Sequence, residues 1–150
     1  MHCATTAGIG GTPNVPRMKV VHTCIRVRDV DASVRFYEAL GFERRGKLQF
    51  ETAYNVYMGL PGDGDTLELT VNQGREEPYD IGDGYNHMAM TVGDIHAVVA
   101  RLAEQGIEPE KPPYHPGDRE ELGPICFVTD PDGYRIELIA GEEFPTPQDD

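Results

Sequence analysis

Cysteine is scarce in this chain, and cations are scarcer than anions. Cys3, Cys24 and Cys126 are the only cysteines among 150 residues, and no two share a CxxC spacing. That odd, scattered set excludes a disulfide framework and points to a reducing compartment, so a cytoplasmic protein is expected. Lysine and arginine number 13 against 26 aspartates and glutamates, a formal net charge of −13. Nucleic acid and anionic membrane surfaces are recognised by clustered cations, so neither is an expected partner. No apolar run approaches the length of a membrane span, and the first residues lack the charged start and apolar stretch of a signal peptide. No GxGxxG follows a strand pattern, since the GIGG near Gly8 lies in Gly/Pro-rich text, so dinucleotide binding has no support.

What is present is enough for one folded domain. Apolar residues make up 39% of the chain, ordinary for a globular protein and far from the composition of disorder. Residues 1–17 are small, polar and rich in Gly and Pro, and read as a flexible leader. The patterned text runs over 18–140, and 141–150 reads as an acidic tail.

Within 18–140 the same unit occurs twice, over 18–72 and 86–140. HTCIRVRDVDASVRFYEALGFE (His22 to Glu43) aligns without a gap on HMAMTVGDIHAVVARLAEQGIE (His87 to Glu108). His22 meets His87, Asp29 meets Asp94, Gly41 meets Gly106 and Glu43 meets Glu108. Each unit also ends alike, DGDTLEL over DGYRIEL, which pairs Glu68 with Glu137. Only the middle loop differs in length. An internal repeat fixes the architecture before any single element does.

Each unit reads as strand, helix, then strands. Val20 to Val27 is a β-branched run; Asp29 is a plausible N-cap; Val30, Val34 and Tyr37 recur at helical spacing; and Gly41 supplies the stop. In the second unit Asp94 caps, Ile95, Val98, Val99 and Leu102 form the apolar stripe, and Gly106 stops it. Strand candidates follow at Thr52 to Met58, Thr66 to Val71, Ile125 to Val128 and Tyr134 to Ile139, the last two joined by a DPDG turn. That turn lacks the ligand spacing of a calcium loop. The expected fold is α+β: two tandem βαβββ units forming a curved mixed sheet.

Strand alternation then sorts the side chains. His22, Cys24 and Arg26 share one face of the first strand, and Glu68, Thr70 and Asn72 share one face of the closing strand. Taken singly, a His or Glu in a strand is more often solvated or hydrogen-bonded than a ligand. Taken together, His22, Glu68, His87 and Glu137 stand at equivalent places of a repeat, two imidazoles with two carboxylates. That set suits one borderline divalent ion such as Ni, Co, Zn, Fe or Mn, and the absence of Cys from it disfavours a structural zinc site.

The stretches VVHTCIRV, FYEALGF, LELTVN, NHMAMTV and DPDGYRIELI resemble glyoxalase I (lactoylglutathione lyase) of the vicinal oxygen chelate superfamily, over about Met18 to Ala140. The resemblance implies that His22, Glu68, His87 and Glu137 bind the metal, and that Arg26 and Asn72 bind glutathione. Both binding residues lie four positions beyond their strand's ligand, about 13 Å along the same face at about 3.3 Å per residue. Their counterparts in the second unit are Thr91 and Gly141, so recognition groups decorate one half only. The implied reaction isomerises the hemithioacetal of methylglyoxal and glutathione to S-lactoylglutathione. Glu137 is the expected base and Glu68 the second carboxylate. His at the first ligand position of a short chain resembles the branch activated by Ni or Co, with Zn the alternative. The resemblance also implies a homodimer in which His22 and Glu68 of one chain join His87 and Glu137 of the other. Closure of both units into one barrel within a chain is the alternative.

There are departures from the family's pattern. Lys111 to Glu121 is Pro-rich and long, and the basic residue expected there for a second substrate carboxylate has only Arg119 and Lys111 as candidates. Gln73 stands where relatives often carry an aromatic. His2, His96 and His115 read as solvent-exposed. The rival readings are another enzyme of the superfamily (an epimerase, a thiol transferase or an extradiol dioxygenase) and a non-catalytic small-molecule binder. A dioxygenase would use a two-His, one-carboxylate iron triad and leave Glu68 uncoordinated. A binder would generally lack the four ligands.

Overall fold

Two aspartates start the two helices, as their spacing predicts. In the computed structural model, which describes residues 16–149, Asp29 accepts from the Ala32 amide at the head of α1 (Val30–Ala39). Asp94 accepts from the His96 and Ala97 amides at the head of α2 (Ile95–Ala103). Both helices stop at the predicted glycines, Gly41 at φ +103° and Gly106 at φ +76°, a backbone region that L side chains rarely enter. The expected leader, with His2 and Cys3, lies outside the described residues apart from Pro16 and Arg17.

The strands form two mixed sheets, one per unit. The first has β1 (Thr23–Arg26), β4 (Leu67–Asn72), β3 (Ala53–Gly59) and β2 (Glu43–Gln49), in that order. The second has β5 (His87–Thr91), β7 (Arg135–Ile139) and β6 (Ile125–Thr129). In each, the opening strand runs parallel to the closing strand and the others are antiparallel. The second unit departs from the first at one strand. Where β2 has its counterpart, the Pro-rich stretch after Glu110 forms only an isolated bridge between Tyr114 and Ile125 and two short 3-10 turns. Prolines 112, 113 and 116 cannot donate to a ladder, so a full strand has no way to form there.

The aliphatic faces meet the helices. Ile25, Val27, Tyr37, Leu67 and Leu69 are buried in one half, and Ile95, Leu102, Ile136 and Leu138 in the other. Polar contacts tie the halves together. Tyr37 donates to Asp130 at 2.7 Å, and the Arg28 amide and Ser33 hydroxyl donate to Asp132 at 3.0 and 3.3 Å. Tyr134 donates to the Arg26 carbonyl at 3.0 Å, and Arg101 to the Ala39 carbonyl at 3.0 Å. The DPDG turn is therefore more than a hairpin turn. Asp130 is buried and also accepts from the Asp132 and Tyr134 amides, which fixes the turn against α1. Burial pushes the Asp130 carboxyl above its usual range, against the pull of its donors, and holds the Tyr37 hydroxyl far above that of a free tyrosine. No helix among the described residues is long and apolar enough to cross a membrane.

Candidate metal centre

The parallel register of opening and closing strands brings each histidine to its glutamate. Cys24 lies opposite Glu68 on β1 and β4, and His87 opposite Arg135 on β5 and β7. His22 Nε2 meets Glu68 Oε2, and His87 Nε2 meets Glu137 Oε2 at 2.7 Å. Side-chain exposure is 33% for His22 and 28% for His87, against 11% for Glu68 and 16% for Glu137. The carboxylates are thus the more enclosed members, and a carboxylate so placed needs a cation or donors.

The predicted ligands come together as two pairs, not as one set of four. Among the described residues no group of three or more His, Cys, Asp or Glu is placed to hold a metal ion. In kind the donors fit a borderline divalent ion: imidazole nitrogen with carboxylate oxygen in both pairs. In number each pair is half a site. The two halves must combine to give the coordination that the repeat predicts.

An aromatic residue backs each pair, at equivalent places in the repeat. Tyr57 lies opposite Glu68 on β3 and meets the His22 ring edge-on at 5.9 Å. Phe127 lies opposite Glu137 on β6 and meets the His87 ring at 5.2 Å. The sequence reading missed both, although the repeat held the signal: each sits one strand before its glutamate. It also missed Asn55, a buried amide that donates to Glu68 Oε1 at 2.6 Å and accepts from Thr70 at 2.9 Å. Glu137 has no such second partner; its only hydrogen-bonding or ion-pair contact in the described residues is His87. It lines instead a cavity of about 350 Å³ with apolar walls that include Met90, Leu122, Ile139 and Phe144. Phe144 belongs to the stretch expected to be an acidic tail.

The predicted recognition residues lie on unit one. Arg26 is exposed on β1, and Asn72 at the end of β4 donates to the Tyr79 hydroxyl at 2.9 Å. Arg75 stacks over the Tyr79 ring at 4.3 Å. Gln73 accepts from Gln49 at 3.1 Å, at the end of β2 and β3. Of the two basic candidates in the long loop, Lys111 sits over the Tyr114 ring at 3.5 Å and Arg119 pairs with Glu121 at 2.6 Å. His96 and His115 are exposed, as expected. Cys24 is exposed beside Thr70 at 3.1 Å, Cys126 is buried, and both are free thiols.

A family model described as the glyoxalase/bleomycin resistance protein/dioxygenase superfamily matches residues 19–138. A probable lactoylglutathione lyase of Synechocystis is 37% identical over 129 residues, covering 81% of this chain and 95% of that one. The lactoylglutathione lyase of Haemophilus influenzae is 34% identical over 129 residues, covering 81% and 92%. Among solved structures, glyoxalase I of Zea mays superposes with a TM-score of 0.73 at 29% identity, covering 86% of this chain and 47% of that one. The trypanothione-dependent glyoxalase I of Leishmania major superposes with a TM-score of 0.69 at 32% identity, covering 83% and 87%. The chain therefore spans about half the length of the maize protein but nearly all of the bacterial relatives.

Proposed function

Since this chain belongs to the glyoxalase/bleomycin resistance protein/dioxygenase superfamily, we propose that it is a lactoylglutathione lyase that removes methylglyoxal as its glutathione hemithioacetal. Relatives matched over nearly their whole length carry that name. The observation that carries the proposal is the contrast between the two carboxylates. Glu68 is clamped by Asn55 beside His22, whereas Glu137 has His87 alone and borders an apolar cavity. One carboxylate is built to hold still and the other to move.

The chemical task is to take a weakly acidic proton from a carbon next to a carbonyl and return it to the neighbouring carbon. A divalent ion held by His22, Glu68, His87 and Glu137 supplies Lewis acidity toward the two substrate oxygens, which steadies the developing negative charge. Glu137 takes the proton and delivers it to the adjacent carbon, so the reaction has no net redox change. Glu68 stays in place as the second carboxylate. The apolar wall around Glu137 keeps water from competing for that proton. Arg26 and Asn72 bind the glutathione tail along the same strand face, remote from the ion.

The ion is Ni or Co in preference to Zn, and the protein works in the cytoplasm as a homodimer. Each site joins His22 and Glu68 of one subunit to the partner's His87 and Glu137. The division of the ligands into two separate pairs supports that arrangement over closure within one chain. An extradiol dioxygenase would leave Glu68 uncoordinated, and the hold that Asn55 has on Glu68 beside His22 speaks against it.

The test adds methylglyoxal and glutathione to the metal-free protein reloaded in turn with Ni, Co and Zn, following thioester formation by ultraviolet absorbance. S-lactoylglutathione is expected with Ni or Co at a higher rate than with Zn. No product with any ion ends the proposal, and a fully active Zn form with inert Ni and Co forms ends the metal preference. Mixing inactive His22→Ala and His87→Ala chains should restore activity, since one site of the mixed dimer then keeps all four ligands. Failure to restore it refutes the shared site.

A further inference from the structure

His87 is held by contacts that His22 lacks. Its Nδ1 lies 2.6 Å from Asn86 Oδ1. The same Oδ1 faces the Arg135 guanidinium at 3.4 Å. Arginine only donates, so the amide atom turned toward it is the oxygen and the amide is not free to flip. Facing that oxygen, His87 Nδ1 must carry the hydrogen. Arg135 is itself fixed, by a two-pronged pair with Glu110 at 2.7 and 2.8 Å and by the Phe127 ring at 4.1 Å. Phe127 also meets the His87 ring. Unit one has Val21 where unit two has Asn86, and Val21 offers no side-chain acceptor.

We infer that Asn86 is a positioning residue that locks His87 in the Nδ1–H tautomer, with Arg135 and Glu110 fixing the orientation of its amide. The lone pair is thereby kept on Nε2, pointing toward Glu137 Oε2 at 2.7 Å. Two acceptors that close need a cation between them, and a neutral imidazole with its lone pair aimed at the site is the form that binds a metal. An outer hydrogen bond that fixes both tautomer and ring orientation raises metal affinity without touching the ion. This role rests on the reading of His87 as a ligand. It goes further by making the two halves of the site unequal: unit two presents an imidazole prepared for metal, and unit one does not.

The test begins with the imidazole nitrogen NMR spectrum of the metal-free, full-length protein at mildly alkaline pH. In the wild type His87 should show a protonated Nδ1 and an unprotonated Nε2. In Asn86→Ala it should revert to the Nε2–H form that histidine side chains favour in water, while His22 does not change. Asn86→Asp, which keeps an acceptor in place, should retain the Nδ1–H pattern. Asn86 is exposed, so its replacement leaves the fold intact. Titration with Ni should then give a dissociation constant about ten- to a hundred-fold weaker for Asn86→Ala, and one near wild type for Asn86→Asp. An Nε2–H form of His87 in the wild type overturns the inference. So does an Nδ1–H form retained in Asn86→Ala, or an unchanged Ni affinity in that variant. The tautomer is read without metal or substrate, so its failure is separable from a failure of the lyase reading.

Discussion

The two units share a histidine, a glutamate and an aromatic at equivalent places, yet they restrain opposite members of the pair. Unit one fixes its carboxylate: Asn55 donates to Glu68 Oε1 at 2.6 Å, and His22 has no side-chain acceptor at its neighbour, Val21. Unit two fixes its imidazole: Asn86 faces His87 Nδ1 at 2.6 Å, and Glu137 has no second partner. A duplicated unit with one divided job can relax each copy where the other is firm. A metal-bound base must leave the ion and return, which suits a carboxylate with a single contact. A ligand that only anchors gains from every added hydrogen bond.

The largest break in that comparison is Glu137→Gln against Glu68→Gln. Both remove a charged ligand, but only Glu137 is assigned the proton. Turnover should fall about 10²–10⁴-fold further for Glu137→Gln than the shared loss of charge accounts for. Steady-state kinetics at saturating metal measures it. Near wild-type turnover in Glu137→Gln removes the division of labour.

Next in size is Arg26→Ala, which probes the asymmetry in recognition. Arg26 is exposed on the ligand-bearing face of β1, and its counterpart in unit two is Thr91. Losing one charge-assisted pair to the glutathione tail should cost about 1.5–3 kcal/mol, roughly ten- to a hundred-fold in kcat/KM. The loss should fall on KM, because that contact is made equally in ground and transition states. Metal content should not change. A lowered Tm with KM intact would show instead that Arg26 serves the fold.

A third test loosens the join between the units. Tyr37→Phe removes the 2.7 Å bond to the buried Asp130, leaving Oδ2 without its donor. Stability at neutral pH should fall by about 1.5–3 kcal/mol, read from chemical denaturation. The variant should also change the alkaline limb. Burial and the nearby Asp130 hold the Tyr37 hydroxyl protonated far above its ordinary value of 10.0. In the unfolded chain tyrosine ionises near 10, so the wild type loses stability as pH rises beyond that point while the folded hydroxyl stays neutral. Phenylalanine cannot titrate, so the variant's stability should fall less steeply there. Parallel alkaline limbs would refute this assignment.

Much of the site was legible because the repeat doubled every weak signal. Asp29 and Asp94, Gly41 and Gly106, and the two His–Glu pairs each support the other through one alignment. The structure bears out the caps, the stops and both pairs. What stayed hidden has no local periodicity. β2, ERRGKLQ, is an exposed edge strand whose charged face carries no alternation, as an edge open to pairing favours. Asn55 becomes meaningful only once β3 and β4 are in register, with Tyr57 opposite Glu68. Tyr37 and Asp130 are brought together by packing across 93 positions. The third strand of unit two was expected from symmetry, and prolines override symmetry.

The smallest expected effect belongs to Glu110 and Arg135, the outermost layer of the hold on His87. Their hydrogen bonds keep the Glu110 carboxyl below its ordinary value of 4.5. A carboxylate depressed in the folded state contributes stability above its unfolded value and loses it as pH falls through the folded one. The contribution should therefore be present at neutral pH and fade below about pH 4.5. Side-chain exposure is 43% for Glu110 and 36% for Arg135, so water and salt screen the pair. Glu110→Gln should cost no more than about 1 kcal/mol at neutral pH despite the two-pronged geometry. Wild-type and variant Tm should converge as pH drops or salt rises. Unit one has no such dependence in its corresponding arginine, because Arg45 is held chiefly by the Leu60 and Asp63 carbonyls at 2.6 and 2.5 Å, which do not titrate. A loss in Glu110→Gln that persists unchanged at acid pH would mean that packing on Phe127, and not charge, holds Arg135 in place.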